Sequence, residues 1–138
     1  MDEQIQLLEG QRCRAVTFDR ETEEWIFDFA SDTALKVSCP WRIIAEGRIQ
    51  LGRRDHGQLF GLPLAVDGMQ EAARLLGASQ VDSATVSEKT ADLAITLVSS
   101  VRLEVINDSS GYEGWTLNGP AGELFVAQGG GRLVRFRP

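Results

Sequence analysis

The residue types best suited to chemistry in this 138-residue chain sit together in Arg53-Arg54-Asp55-His56-Gly57. An aspartate beside a histidine can orient its imidazole, and neighbouring arginines can clamp a carboxylate or phosphate. With Arg42, the pair Asp55 and His56 forms the candidate ligand-binding set, either for a small-molecule binder or for an enzyme using the interior of a curled sheet. Against catalysis, neighbours on a strand point to opposite faces, and no serine or cysteine can be set beside His56 from sequence. The alternative is a solvated turn in which Asp55 and His56 bond local backbone. No catalytic residue is assigned.

Other chemistry-bearing residues read as scaffold. Glu21, Glu23 and Glu24 follow Asp19-Arg20 and fit a solvated turn better than a carboxylate pair or a divalent-metal site. Cys39-Pro40-Trp41-Arg42 reads as a small buried thiol, a strand break and a core aromatic. Cys13 and Cys39 share no metal-ligand spacing with the single histidine, so both are taken as reduced and structural, with no metal. Gly129-Gly130-Gly131 joins two strands and precedes no helix, which predicts a flexible turn and not an anion cradle. No phosphate-binding loop, dinucleotide fingerprint or zinc motif is present, and no cofactor is implied.

Composition narrows the classes of partner. Twenty acidic residues against fourteen basic ones give a net charge of -6, so a phosphate-tracking, nucleic-acid-binding surface is not expected. No apolar run approaches a membrane span, and the N-terminal segment lacks a signal-peptide pattern. These features predict a soluble cytoplasmic protein. With 43% of residues apolar, one domain over residues 1–138 can build its own core.

The elements that must position these residues are written twice. Trp25, Phe27 and Phe29 alternate, Leu35 and Val37 follow, then Trp41, Gly47, Ile49 and Leu51. About 68 residues on, Leu93, Ile95 and Leu97 alternate, Leu103 and Val105 follow, then Trp115, Gly122, Leu124 and Val126. The copies span about residues 12–53 and 81–128. Period-two alternation predicts a strand at each run, plus a leading strand in each copy (12–18 and 81–86) and a final edge strand at 132–137, where Arg135 and Arg137 discourage strand addition. Trp41 and Trp115 occupy matching positions and should be packing anchors.

Between the copies Asp67 can cap a helix over about 68–77, with Gln70 in a capping-box position and Gly77 as a left-handed stop. Phe60, Leu62, Pro63 and Leu64 are expected to bury against that helix. The fold class is α+β, mostly β: two similar antiparallel meanders from an internal duplication, packed as a sandwich or partly closed barrel, with one linking helix.

The copies differ by an insertion of about six residues, at 107–114. Loops on a rigid sheet often carry recognition, and Tyr112 offers a large amphipathic contact at little entropic cost. Tyr112 and Glu113 are therefore the candidate partner-binding residues.

The order Pro40-Trp41-Arg42-Ile43, then Gly47 and Asp55, a short helix, Asp92-Leu93-Ala94-Ile95, and finally Tyr112-Glu113-Gly114-Trp115 resembles a family of small bacterial single-domain proteins of unknown function, over nearly the whole chain. Related small domains act as immunity proteins beside polymorphic toxins. By analogy the resemblance implies a non-enzymatic, antitoxin-like role with a basic, toxin-like protein partner. Cys39 stands where a small polar residue such as serine is expected before Pro-Trp-Arg, which speaks against thiol chemistry. Besides binding and ligand-site readings, an unpaired strand would allow self-association into a homo-oligomer.

Overall fold

Alternation of buried apolar and exposed polar residues sets the strands of the computed structural model, which describes residues 2–137. In chain order these are β1 (Glu3–Gln4), β2 (Cys13–Asp19), β3 (Glu24–Phe29), β4 (Thr33–Val37), β5 (Trp41–Ala45), β6 (Arg48–Gly52), the helix α1 (Gly68–Leu76), β7 (Val81–Val86), β8 (Leu93–Leu97), β9 (Arg102–Val105), β10 (Trp115–Asn118), β11 (Leu124–Ala127) and β12 (Leu133–Phe136). They form two antiparallel six-stranded sheets, in the orders β1-β7-β8-β9-β5-β6 and β12-β11-β10-β4-β3-β2. Neither sheet closes into a barrel; the two pack as a sandwich.

Duplication is visible in the registers. Trp25 and Trp115 both pair with Val37 across β3-β4-β10, and Leu93 and Trp41 both pair with Val105 across β8-β9-β5. Each copy also carries a bulge at the same place, between Cys13 and Ala15 and between Val81 and Ser83. A bulge adds one unpaired residue and local twist.

The copies do not stay in separate sheets. The meander β2-β3-β4 is continued by the hairpin β10-β11 of the second copy, and β7-β8-β9 by the hairpin β5-β6 of the first. The break comes at Cys39-Pro40 in one copy and at the 106–114 segment in the other, so each copy gives its fourth and fifth strands to the opposite sheet. A further irregularity between Ile43 and Ile44 shifts the outer strand, so that Leu51 corresponds to Phe125 rather than to Val126.

The core lies between the sheets. Trp25, Phe27, Leu35, Val37, Trp41, Ile43, Leu93, Ile95, Leu103, Val105, Trp115 and Leu117 are all buried, and burying each large apolar side chain contributes about 1.5–3 kcal/mol. Trp41 meets Trp25 edge-on at 4.9 Å and Phe27 at 5.3 Å between ring centres. Both matching tryptophans are packing anchors, as their spacing implied.

One side of the sandwich is closed by α1, which packs on β2 and touches β6. The Asp67 carboxylate accepts the Gln70 amide at 3.1 Å, the N-cap its position predicted. Gly77 ends the helix differently from expectation: its φ is −83°, in the right-handed region. Glycine is required there by proximity, since a Cβ would lie 2.7 Å from the Ala73 carbonyl. On the far side Arg135 of β12 forms an ion pair with Glu3 of β1, and its guanidinium lies over Phe125, tying the two sheet edges together.

Two loop expectations are corrected. Phe60, Leu62, Pro63 and Leu64 do not bury against α1; all four are exposed. The apolar stripe of α1 is short, and Ala72, Leu75 and Leu76 are already buried in the main core. The glycine triplet is a packed crossing as well as a turn. A Cβ on Gly129 would meet Gly111 backbone at 2.4 Å, and Gly131, at φ +100°, approaches the Lys89 carbonyl.

Candidate functional site

The inserted segment after β9 is pinned before it reaches its tip. The Asn107 side-chain amide donates to the carbonyls of Thr90 (2.9 Å) and Gln128 (3.1 Å), and its backbone amide donates to the Asp92 carboxylate at 2.9 Å. Ser109 Oγ accepts the amides of Gly111 and Tyr112, and the Gly130 amide donates to the Ser109 carbonyl. At the far end Ser38 of the first copy holds the loop through its amide and hydroxyl, both donating to the Gly114 carbonyl. Gly114 must be glycine: a Cβ there would lie 2.2 Å from Asn107 Oδ1 and 3.2 Å from Cys39 Sγ.

On this fixed backbone the Tyr112 side chain is 83% exposed. It stands over a cleft of about 720 Å³, lined among others by Glu23, Glu24, Lys36, Asp108, Tyr112 and Glu113. Four carboxylates against one lysine make the lining strongly acidic. The structure therefore brings Tyr112 and Glu113 together with Glu23 of the β2-β3 turn and Glu24 at the start of β3. Sequence reading treated those glutamates as a solvated turn and did not connect them to the loop. No sequence signal connects them, because β4 is flanked by both β3 and β10 only through the exchange of hairpins.

A smaller groove on the other sheet, about 210 Å³, shares three positions with it, Asp92, Glu104 and Ile106 for Glu24, Lys36 and Ser38, and is otherwise lined by different strands, through Thr85 and Ala94 among others. There Glu104 stands where Lys36 stands in the first cleft, held by Arg42 at 2.8 Å and Arg102 at 3.1 Å. The inserted loop supplies Asp108, Ser109, Tyr112 and Glu113 to the larger cleft, and the smaller groove has no counterpart of them.

Arg42, Asp55 and His56 each have separate partners. Arg42 is committed to Glu104. The Asp55 carboxylate accepts the Gly52 amide at 2.8 Å. His56 Nδ1 accepts the Gly68 amide at 2.9 Å, capping α1, and its ring meets Trp25 edge-on at 5.6 Å. Asp55 and His56 thus bond local and helix-terminal backbone, and the groove that Asp55 lines includes neither Arg42 nor His56.

Both cysteines are buried and free. Burial pushes the Cys13 thiol up to about 12, helped by Asp28, and burial followed by Asp108 does the same for Cys39. Among the described residues no group of three or more histidine, cysteine or acidic side chains is placed to hold a metal ion. Among the described residues no helix is long and apolar enough to cross a membrane.

Fold and cleft together define a class: a duplicated, hairpin-exchanged β-sandwich whose halves differ by one structured loop over an acidic groove. Within that class the chain belongs to a family of unknown function, DUF6188, whose model matches residues 4–137. None of the curated proteins and none of the solved structures compared with it matches.

Proposed function

We propose that the protein is a non-enzymatic binding module of the cytoplasm whose acidic cleft receives a basic protein partner. The observation that carries this reading is the cleft that the inserted loop of the second copy builds over β3 and β4 of the first: about 720 Å³, with four carboxylates against one lysine and the exposed Tyr112 at its rim. A pinned backbone presenting one free aromatic side chain lowers the entropy lost on binding. Carboxylates around it steer a cationic partner and raise the association rate, most strongly at low salt. In this reading a basic toxin, such as a nuclease, is the kind of partner the cleft suits, and the protein acts as an immunity-type factor in bacteria.

The test is retention of a protein partner from lysate of the host by the tagged wild type and by Tyr112→Ala and Glu23→Lys/Glu113→Lys variants, at low and moderate salt. A basic partner held by the wild type, weakened at higher salt and lost from both variants, supports the proposal. A partner held equally by the variants, or none held at either salt, refutes it.

A further inference from the structure

The loop of residues 57–66 joins two segments that are held together by strand pairings crossing it. Residues 2–56 supply β1 to β6 and residues 67–137 supply α1 and β7 to β12. Yet β1 pairs with β7, β4 with β10 and β5 with β9, and α1 packs on β2. None of these contacts requires both segments to belong to one chain. A sandwich built from residues 2–56 of one copy and 67–137 of another keeps every one of them.

The loop itself stores a reason to open. At its base the Gly57 amide donates to the Val66 carbonyl and the Val66 amide to the Gln58 carbonyl, each at 2.8 Å. At its tip the Leu62 amide donates to the Leu59 carbonyl at 2.7 Å, and the two residues between them, Phe60 and Gly61, have φ of +48° and +77°. Glycine or asparagine takes such a turn readily, but a bulky side chain at positive φ is strained. Burial does not offset that strain, because Phe60 is 66% exposed. Opening the turn relieves it, and strained hinge loops invite segment swapping.

The residues of the loop also suit the opened state. Continuing the Gln58–Val66 pairing through two opened loops sets Leu62 opposite its counterpart in the second copy and Phe60 opposite Leu64, about a two-fold axis. Phe60, Leu62 and Leu64 alternate along the chain, so all three then lie on one face and cover one another. Pro63 falls opposite Gly61 in a non-hydrogen-bonded pair, where its missing N–H breaks no bond.

We propose that the 57–66 loop is a hinge through which two copies of this chain swap segments, so that residues 2–56 of each fold with residues 67–137 of the other. The acidic cleft takes Glu23, Glu24 and Lys36 from one side of the hinge and Asp108, Tyr112 and Glu113 from the other. Each cleft of the swapped dimer is therefore built by both chains, and one particle presents two of them. The swap itself does not depend on what the cleft binds.

The test is refolding of the full chain from urea at ~1 µM and at ~200 µM, followed by sedimentation velocity after dilution to a common concentration. The expected result is a monomer from the dilute refolding and, from the concentrated one, a dimer that survives dilution. An Ala34→Cys/Asn118→Cys variant places thiols on directly paired residues of β4 and β10, while Cys13 and Cys39 are buried. On a denaturing gel a short thiol cross-linker should join two chains in the dimer and leave the monomer as single chains. Phe60→Gly, which keeps the turn and removes its strain, should lower the dimer-to-monomer ratio at least about fivefold with an unchanged circular dichroism spectrum. A monomer from both refoldings, a dimer whose cross-links stay within each chain, or an undiminished dimer in Phe60→Gly overturns the proposal.

Discussion

Two buried tryptophans at equivalent positions differ in a single hydrogen bond. Trp115 Nε1 donates to the Ala91 carbonyl at 2.8 Å, whereas Trp41 Nε1 is buried without an acceptor. Replacing both by phenylalanine removes similar volume, but only Trp115→Phe strands a buried carbonyl, a loss of about 1–3 kcal/mol. Urea unfolding should therefore show Trp115→Phe destabilised by about 1 kcal/mol more than Trp41→Phe. Equal losses would mean that the Ala91 carbonyl finds another donor. The same scale governs the thiols. With their native values pushed from 9.0 to about 12, Cys13 and Cys39 stay protonated and resist alkylation at about pH 8, reacting only once the chain unfolds. As pH climbs above about 9 the unfolded chain releases thiol protons that the native state keeps, so stability falls through that window. The urea midpoint should drop between about pH 8 and about pH 10, less steeply in Cys13→Ala than in the wild type.

At the scale of elements, the start of α1 shows why intrinsic propensity is a poor guide here. Alanine is a better helix former than glycine by about 1 kcal/mol, yet a Cβ on Gly68 would lie 2.9 Å from His56 Cβ and 3.2 Å from the Trp25 ring. Gly68→Ala should thus lower stability by about 1–3 kcal/mol, read as a drop in thermal midpoint. His56→Ala should also destabilise, because the Gly68 amide loses its acceptor. The strands were legible in the sequence because one face of each is buried and period two exposes that fact residue by residue, as Trp25, Phe27 and Phe29 do. The Asp67 cap was legible because its chemistry is local. By contrast, the right-handed backbone of Gly77 depends on its closeness to Ala73 and Cys13, and the exposure of Phe60 and Leu64 depends on which core groups already occupy the helix. Such facts belong to tertiary packing. Tyr112 and Glu113 stand out as candidates because an insertion is visible against its own duplicate, whereas Glu23 and Glu24 line the same cleft through strand neighbours that lie far apart in sequence.

For the whole molecule, the decisive property is that neither copy can complete a sheet by itself. The hairpin β5-β6 of the first copy extends the sheet of the second, and β10-β11 extends the sheet of the first, an exchange that alternation cannot encode, since it specifies faces and not neighbours. Trp41 and Trp115 are the anchors most affected, because each pairs with a valine of the opposite copy, Val105 and Val37. A chain divided within the exposed 59–65 loop would yield two fragments, each with a three-stranded meander whose apolar face lacks both the partner sheet and the exchanged hairpin. Marginal stability of about 5–15 kcal/mol for an intact domain leaves no room for a loss of that size. Each fragment alone should therefore be largely unfolded by circular dichroism, while an equimolar mixture should regain the β spectrum and a cooperative melt. The mixture should melt below the intact chain and with a midpoint that rises with concentration, because joining the fragments has become a bimolecular step. If either fragment folds cooperatively alone, the two copies are independent units and the exchanged hairpins contribute little to holding the sandwich together.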